Sequence, residues 1–184
     1  MTGCHRASEI VRKPVVTLGG DDIAQIKDIV LDDRGTVRCF TLSGRGVLAG
    51  PIKRVLPWSE VHALGPDAVM IRVEDALEDA DSAEAAVGQG GGDVLGARMM
   101  TEDGTDLGRV TDVVIEAGET AQVVGYEVDS RAKEGRLLLP VIGTLAASAE
   151  MVVVPRATAE FAAGDLGSLP AAVEALRNRL AQET

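Results

Sequence analysis

Several groups of side chains in this 184-residue chain have types and spacings that could do chemistry. Gly44-Arg45-Gly46-Val47-Leu48-Ala49 fits the dinucleotide pattern G-x-G-x-x-A and follows an alternating apolar run. That pattern works by seating a pyrophosphate on a helix N-terminus directly after the glycines, and here Gly50-Pro51 intervenes, so the segment reads as a glycine turn and no cofactor is expected. Asp28 and Asp112 recur at matching places inside two apolar runs. They could form a paired-carboxylate device for proton transfer. The favoured reading is that each accepts a turn or bulge amide. His5 and His62 lack companions at ligand spacing, and a metal site needs three or four converging groups, so no metal is expected. The acids from Glu74 to Glu84 lack the spacing and central glycine of a calcium loop. Arg45, Lys53, Arg54 and Trp58 remain. Arginine and tryptophan dominate interface energetics, so these four are the expected partner-binding face; the alternative is a surface cation pair beside a core tryptophan. No nucleophile, base and oxyanion set can be assembled, so no catalytic residue, small-molecule substrate or enzyme activity is expected.

The elements that must position these residues are written twice. A shift of 84 lays Gly20-Asp21-Asp22-Ile23 through Asp32 over Gly104-Thr105-Asp106-Leu107 through Glu116, apolar on apolar and acid on acid. Val37–Leu42 then matches Val123–Val128, Leu56-Pro57 matches Leu139-Pro140, and Val69–Ile71 matches Val152–Val154. Small length changes between the matches are what hairpin loops tolerate, so the chain is read as a duplicated all-β unit.

Within the first copy, strands are expected at Pro14–Leu18, Ile23–Leu31, Val37–Leu42, Val47–Ala49, Arg54–Leu56 and Ala68–Val73, with a helical turn or two over Pro57–Gly65. Asp32-Asp33-Arg34-Gly35 between apolar runs is hairpin chemistry. The second copy repeats the plan at Ala97–Thr101, Leu107–Ile115, Val123–Val128, Leu137–Leu139 and Met151–Val154, with a basic turn at Arg131–Arg136. Leu169, Val173, Leu176 and Leu180 fall on one face of a C-terminal amphipathic helix with Pro170 in its first turn. The domains expected are a polar tail 1–12, a first unit 13–74, an acidic, glycine-rich linker 75–93, a second unit 94–156, and a tail 157–184 carrying the helix.

Composition bounds the function. Hydrophobic residues make up 46% but aromatics only 2%, so the cores must be aliphatic and little ring surface is left for stacking bases. The net charge of −11 is uneven: residues 1–73 hold 10 basic against 8 acidic side chains, +2, and residues 74–184 hold 8 against 21, −13. That field disfavours non-specific binding to nucleic acid or anionic membrane. Two cysteines, Cys4 and Cys39, make no disulfide framework, and no apolar stretch reaches the ~20 residues a membrane helix needs, so a soluble, cytoplasmic protein is expected.

The segments DLGRVTDVVIE and RVLPWSEVHALGPDAVMI, joined by a hairpin and a strand, resemble the PRC-barrel family. The resemblance covers about 13–74 and 94–156. The first copy keeps Pro57-Trp58-Ser59-Glu60-Val61 but has Ala24 where the second has Gly108; the second reads Leu139-Pro140-Val141-Ile142-Gly143 in place of that box. What the resemblance implies is two tandem small β-barrels serving as a non-enzymatic scaffold or adaptor, with a protein partner or self-association. Family members found in a ribosome-maturation factor and in a photosynthetic reaction-centre subunit imply two alternatives, an accessory factor in ribosome or RNA assembly and a peripheral accessory of an electron-transfer complex. The acidity of the chain counts against the RNA alternative.

Overall fold

The structure, a computed structural model, describes residues 3–46, 49–83, 93–130, 135–142 and 146–183. Two compact units divide the chain: one comprises Ala7–Gly92 with Ala117–Gln122, the other Gly3–Arg6, Asp93–Glu116 and Val123–Thr184. The N-terminal strand β1 (Gly3–Arg6) thus belongs to the second unit.

In the first unit α1 (Ala7–Ile10) leads into β2 (Pro14–Thr17), β3 (Asp22–Leu31), β4 (Val37–Ser43), β5 (Pro51–Pro57), β6 (Val61–Leu64), β7 (Val69–Ile71) and β8 (Glu78–Asp79), followed by α2 (Ala80–Ala83). They form one sheet in the order β6-β7-β2-β3-β4-β5-β8. Long β3 and β4 follow from their β-branched, alternating sequences, which bury Ala24, Ile26 and Ile29 from one strand and Phe40 and Leu42 from the other. Their hairpin closes where the Asp32 carboxylate accepts the backbone N–H groups of Arg34 and Thr36, each at 2.9 Å. Aspartate fits there because its short carboxylate reaches its own downstream backbone.

The second unit repeats six of these strands in the same order, without a strand matching β8 and with β1 added. β9 (Arg98–Thr101), β10 (Asp106–Ala117), β11 (Gln122–Ser130), β12 (Gly135–Pro140), β13 (Ala146–Ala147) and β14 (Met151–Val154) run in the order β12-β11-β10-β9-β14-β13, with β1 paired to β10. A parallel ladder in each sheet joins its first and last shared strands: Val15 faces Val69 in the first unit, and Met99 faces Val152 in the second. Those pairs are related by the same shifts of 84 and 83 found in the sequence. Even the first turns agree. Thr17 and Thr101 are buried, and each hydroxyl accepts a backbone N–H four residues on, from Asp21 at 3.1 Å and from Thr105 at 2.9 Å. Gly20 and Gly104 take the positive φ, 93° and 88°, that this tight turn demands. A bulge follows at Ile23 and at Leu107.

Each sheet is then covered by the segment after its last shared strand. In the second unit α3 (Leu169–Gln182) lays Leu169 and Val173 on Val114, Val124 and Leu138. The expected amphipathic helix therefore finds its apolar cover within this chain. Gly125 makes room for it: a β-carbon there would meet the Leu139 carbonyl at 2.8 Å and Leu169 at 3.1 Å. In the first unit the matching residues Val30, Cys39 and Val55 are buried and Ala80 packs on them.

Several expectations are corrected. Residues 1–12 were expected as a polar tail, yet β1 pairs in a sheet and Ile10 is fully buried. Within the expected linker 75–93, residues 76–83 are not simply solvated: Ala76 and Leu77 are buried, and β8 pairs with β5 at Arg54–Asp79 and Val55–Glu78. Two apolar residues among acids were too few to show a period. Pro57–Gly65 holds only a single 3-10 turn, Trp58–Glu60, before continuing as β6, because Val61 turns extended immediately after it. The strand expected at Val47–Ala49 lies mostly outside the described residues, as do the glycine run 90–92 and most of the basic turn 131–136.

Candidate functional site

The four residues expected to form a docking face all lie in the first unit, but the structure gives them different tasks. Strand β5 carries Lys53 and Arg54 on its two sides. Lys53 is exposed, while the Arg54 guanidinium donates to the Leu77 carbonyl at 2.8 Å and lies 3.6 Å from the Glu74 carboxylate. Arg54 thereby holds the returning segment onto the sheet edge. Arg45, in the β4–β5 loop, pairs with Asp22 at the start of β3. Trp58 is not part of a free surface. Only 7% of it is exposed, and its ring stands edge-on to Phe40 with centroids 6.0 Å apart. Lys53 and Arg54 therefore share one strand and Arg45 lies in the loop before it, whereas Trp58 belongs to the core, as the alternative sequence reading had it.

On the side away from β4, strand β5 pairs with β8 only at Arg54 and Val55. Among the described residues no strand covers the outer side of Pro51–Lys53. The Gly44–Ala49 loop leading to this edge is a hairpin connection, closed by Gly44 N–H to the Gly50 carbonyl at 3.0 Å and Ala49 N–H to the Gly46 carbonyl at 3.1 Å, with Gly46 at φ 101°. The Gly44 and Ala49 N–H groups thus serve the turn.

The recurrent aspartates behave alike. Asp28 accepts the N–H of Ile29 at 2.7 Å, and Asp112 that of Val113 at 2.9 Å. In the first copy the register between β3 and β4 shifts at that point. In both copies the carboxylate accepts the amide of the residue that follows it. Among the described residues no group of three His, Cys, Asp or Glu side chains is placed to hold a metal ion. Burial, reinforced by Glu78 for Cys39 and by Glu116 for Cys4, raises both thiols above their ordinary range, so neither is an activated nucleophile.

A charged cluster that sequence reading missed sits in the second unit. Glu127 is 5% exposed, accepts from Arg6 at 2.8 Å and from Arg136 at 3.1 Å, and shares Thr111 with its own backbone carbonyl. It anchors β1 to the unit. Nothing in the spacing of 6, 127 and 136 announces the contact, because only strand pairing brings them together. The same unit has a cleft of about 190 Å³ beside α3, lined by Glu116, Val124, Pro170, Val173, Glu174 and Arg177, in which Arg177 is already paired to Glu174 at 2.7 Å.

Among the described residues no helix is long and apolar enough to cross a membrane. No curated protein was found to match the chain. The family model described as PRC-barrel domain matches it twice, over residues 4–77 and 90–157, the two stretches that supply the repeated sheets. By that double match, and by the strand order the two sheets share, the chain belongs to the PRC-barrel family as a tandem pair of its domains.

Proposed function

We propose that this chain is a non-enzymatic adaptor that binds another protein through the β5 edge of its first unit. PRC-barrel domains often mediate protein interaction, and the observation that supports this particular edge is Lys53. It is exposed, and among the described residues no strand pairs with the outer side of Pro51–Lys53 and Lys53 makes no ion pair. A lysine on a short open edge discourages indiscriminate strand pairing, yet it also selects an acidic extended segment that can add to the edge. Arg45 and Arg54 would extend that preference from positions already fixed by Asp22 and by the Leu77 carbonyl. Trp58 contributes by packing beneath the edge.

The test is affinity capture from host lysate with and without ribonuclease, followed by affinity measurement with the purified partner. Lys53→Glu is expected to weaken that partner by about five- to tenfold, mostly through slower association. Arg54→Glu is assayed separately with circular dichroism, since it also frees the Leu77 carbonyl. Equal affinity of the Lys53→Glu protein would remove the β5 edge from the reading, and capture that depends on ribonuclease-sensitive RNA would replace it.

A further inference from the structure

The two copies differ at one end in a way the shared fold does not require. Leu18 and Val73 are 54% and 58% exposed. They follow the paired strands β2 and β7, where Leu18 N–H donates to the Ile71 carbonyl at 2.9 Å. The second unit makes the equivalent bond, Glu102 N–H to the Val154 carbonyl at 2.9 Å. At the two matching positions it carries Glu102 and Arg156, and the Glu102 carboxylate accepts the Arg156 backbone N–H at 3.1 Å. One copy closes this end with polar groups that satisfy each other. The other leaves two large aliphatic side chains in water.

Charge identifies what would cover them. Asp21, Asp22, Arg72, Glu74 and Asp75 are the exposed charged residues within four positions of Leu18 or Val73, four acids against one base; Asp22 pairs with Arg45 and Glu74 lies 3.6 Å from Arg54, which leaves Asp21 and Asp75 unmatched by those two arginines. A second copy of the chain docking by the same end would bring two such acidic rims together, which like-charge juxtaposition opposes. A partner presenting an apolar anchor flanked by lysine or arginine meets both features. We infer that the Leu18–Val73 end of the first unit is a second docking surface, one that takes a basic, apolar-anchored polypeptide. It differs from the β5 edge, whose exposed Lys53 favours an acidic partner, and borders it at the Arg45–Asp22 and Arg54–Glu74 pairs.

The experiment uses the full chain with methyl labelling and two synthetic twelve-residue amphipathic peptides, one of leucine and lysine, one of leucine and glutamate. The leucine–lysine peptide is expected to shift the Leu18 and Val73 methyl signals and to bind about tenfold or more tightly than the leucine–glutamate peptide. Leu18→Glu with Val73→Arg copies the second unit's residue types, keeps the net charge, and is expected to abolish the difference. Leu18→Gln with Val73→Thr serves the same purpose should the charged variant fail to fold. Equal binding of both peptides, binding unchanged in the variants, or shifts confined to other methyls would overturn the inference. So would concentration-dependent self-association that disappears with the same substitutions, since the occupant would then be a second copy.

Discussion

Trp58 meets Phe40 edge-on inside the first unit, and the corresponding positions of the second unit hold Val141 and Tyr126, both buried. The sole tryptophan is thus spent on packing. Trp58→Ala is expected to lower the stability of the first unit by about 3–5 kcal/mol, the range for emptying a large aromatic site, read as a shifted urea midpoint by circular dichroism. A drop in partner affinity with no shift in midpoint would return Trp58 to the surface. Asp106 bears on pH. The Arg98 hydrogen bond, then the Gly108 N–H, hold its carboxyl below the ordinary carboxylate range. Because the folded group stays ionised where the unfolded one takes up a proton, its contribution is present above the unfolded pKa of about 3.9 and is lost as pH falls through the folded value. Urea titrations between pH 7 and pH 3 are expected to show a shallower acid loss for Asp106→Asn than for the parent chain. An identical slope would mean that the exposed pair is screened to nothing.

At the scale of elements, the divergence between Ala24 and Gly108 has a backbone origin. Gly108 lies at φ 124°, and a β-carbon on it would come within 2.2 Å of the Asp129 carbonyl oxygen, whereas Ala24 lies outside the positive-φ region. The same bulge is therefore built with two backbones, and the glycine is needed in only one. The covering segments show the larger pattern. After its last shared strand each copy sends its chain back across the β5 or β12 edge, with Val55 opposite Glu78 in one and Leu138 opposite Ala163 in the other. The long helix α3 completes the second unit, so Leu169→Ala, at a side chain with no exposure, is expected to cost about 2–5 kcal/mol in chemical denaturation. A loss under 1 kcal/mol would mean that the helix collapses onto Gly125 and refills the site.

For the whole molecule the dominant quantity is charge. Residues 74–184 carry a net −13, and self-repulsion of that size opposes compaction. Raising the salt from 0.01 M to 0.1 M shortens the screening length from about 30 Å to about 10 Å, and the melting temperature is expected to rise with it. A fall would show that ion pairs such as Arg98–Asp106 and Arg177–Glu174 outweigh the repulsion. The same acidic total disfavours non-specific contact with nucleic acid.

Most of the sheet was legible because its signals are local. Period-two burial, the Asp32 turn and the glycines at 20 and 104 act through neighbours within a few residues, and duplication presents each signal twice. The sequence alone therefore determined the repeat, the long strands of each copy and the amphipathic face of α3, but not β1, β6 or β8. Only the tertiary structure decided that β1 joins the second unit, that Arg54 clasps the Leu77 carbonyl, that Trp58 is core, and that Glu127 gathers Arg6 and Arg136. Those outcomes depend on which groups meet across 9 to 121 residues of chain, and a side chain's type limits its partners without naming them.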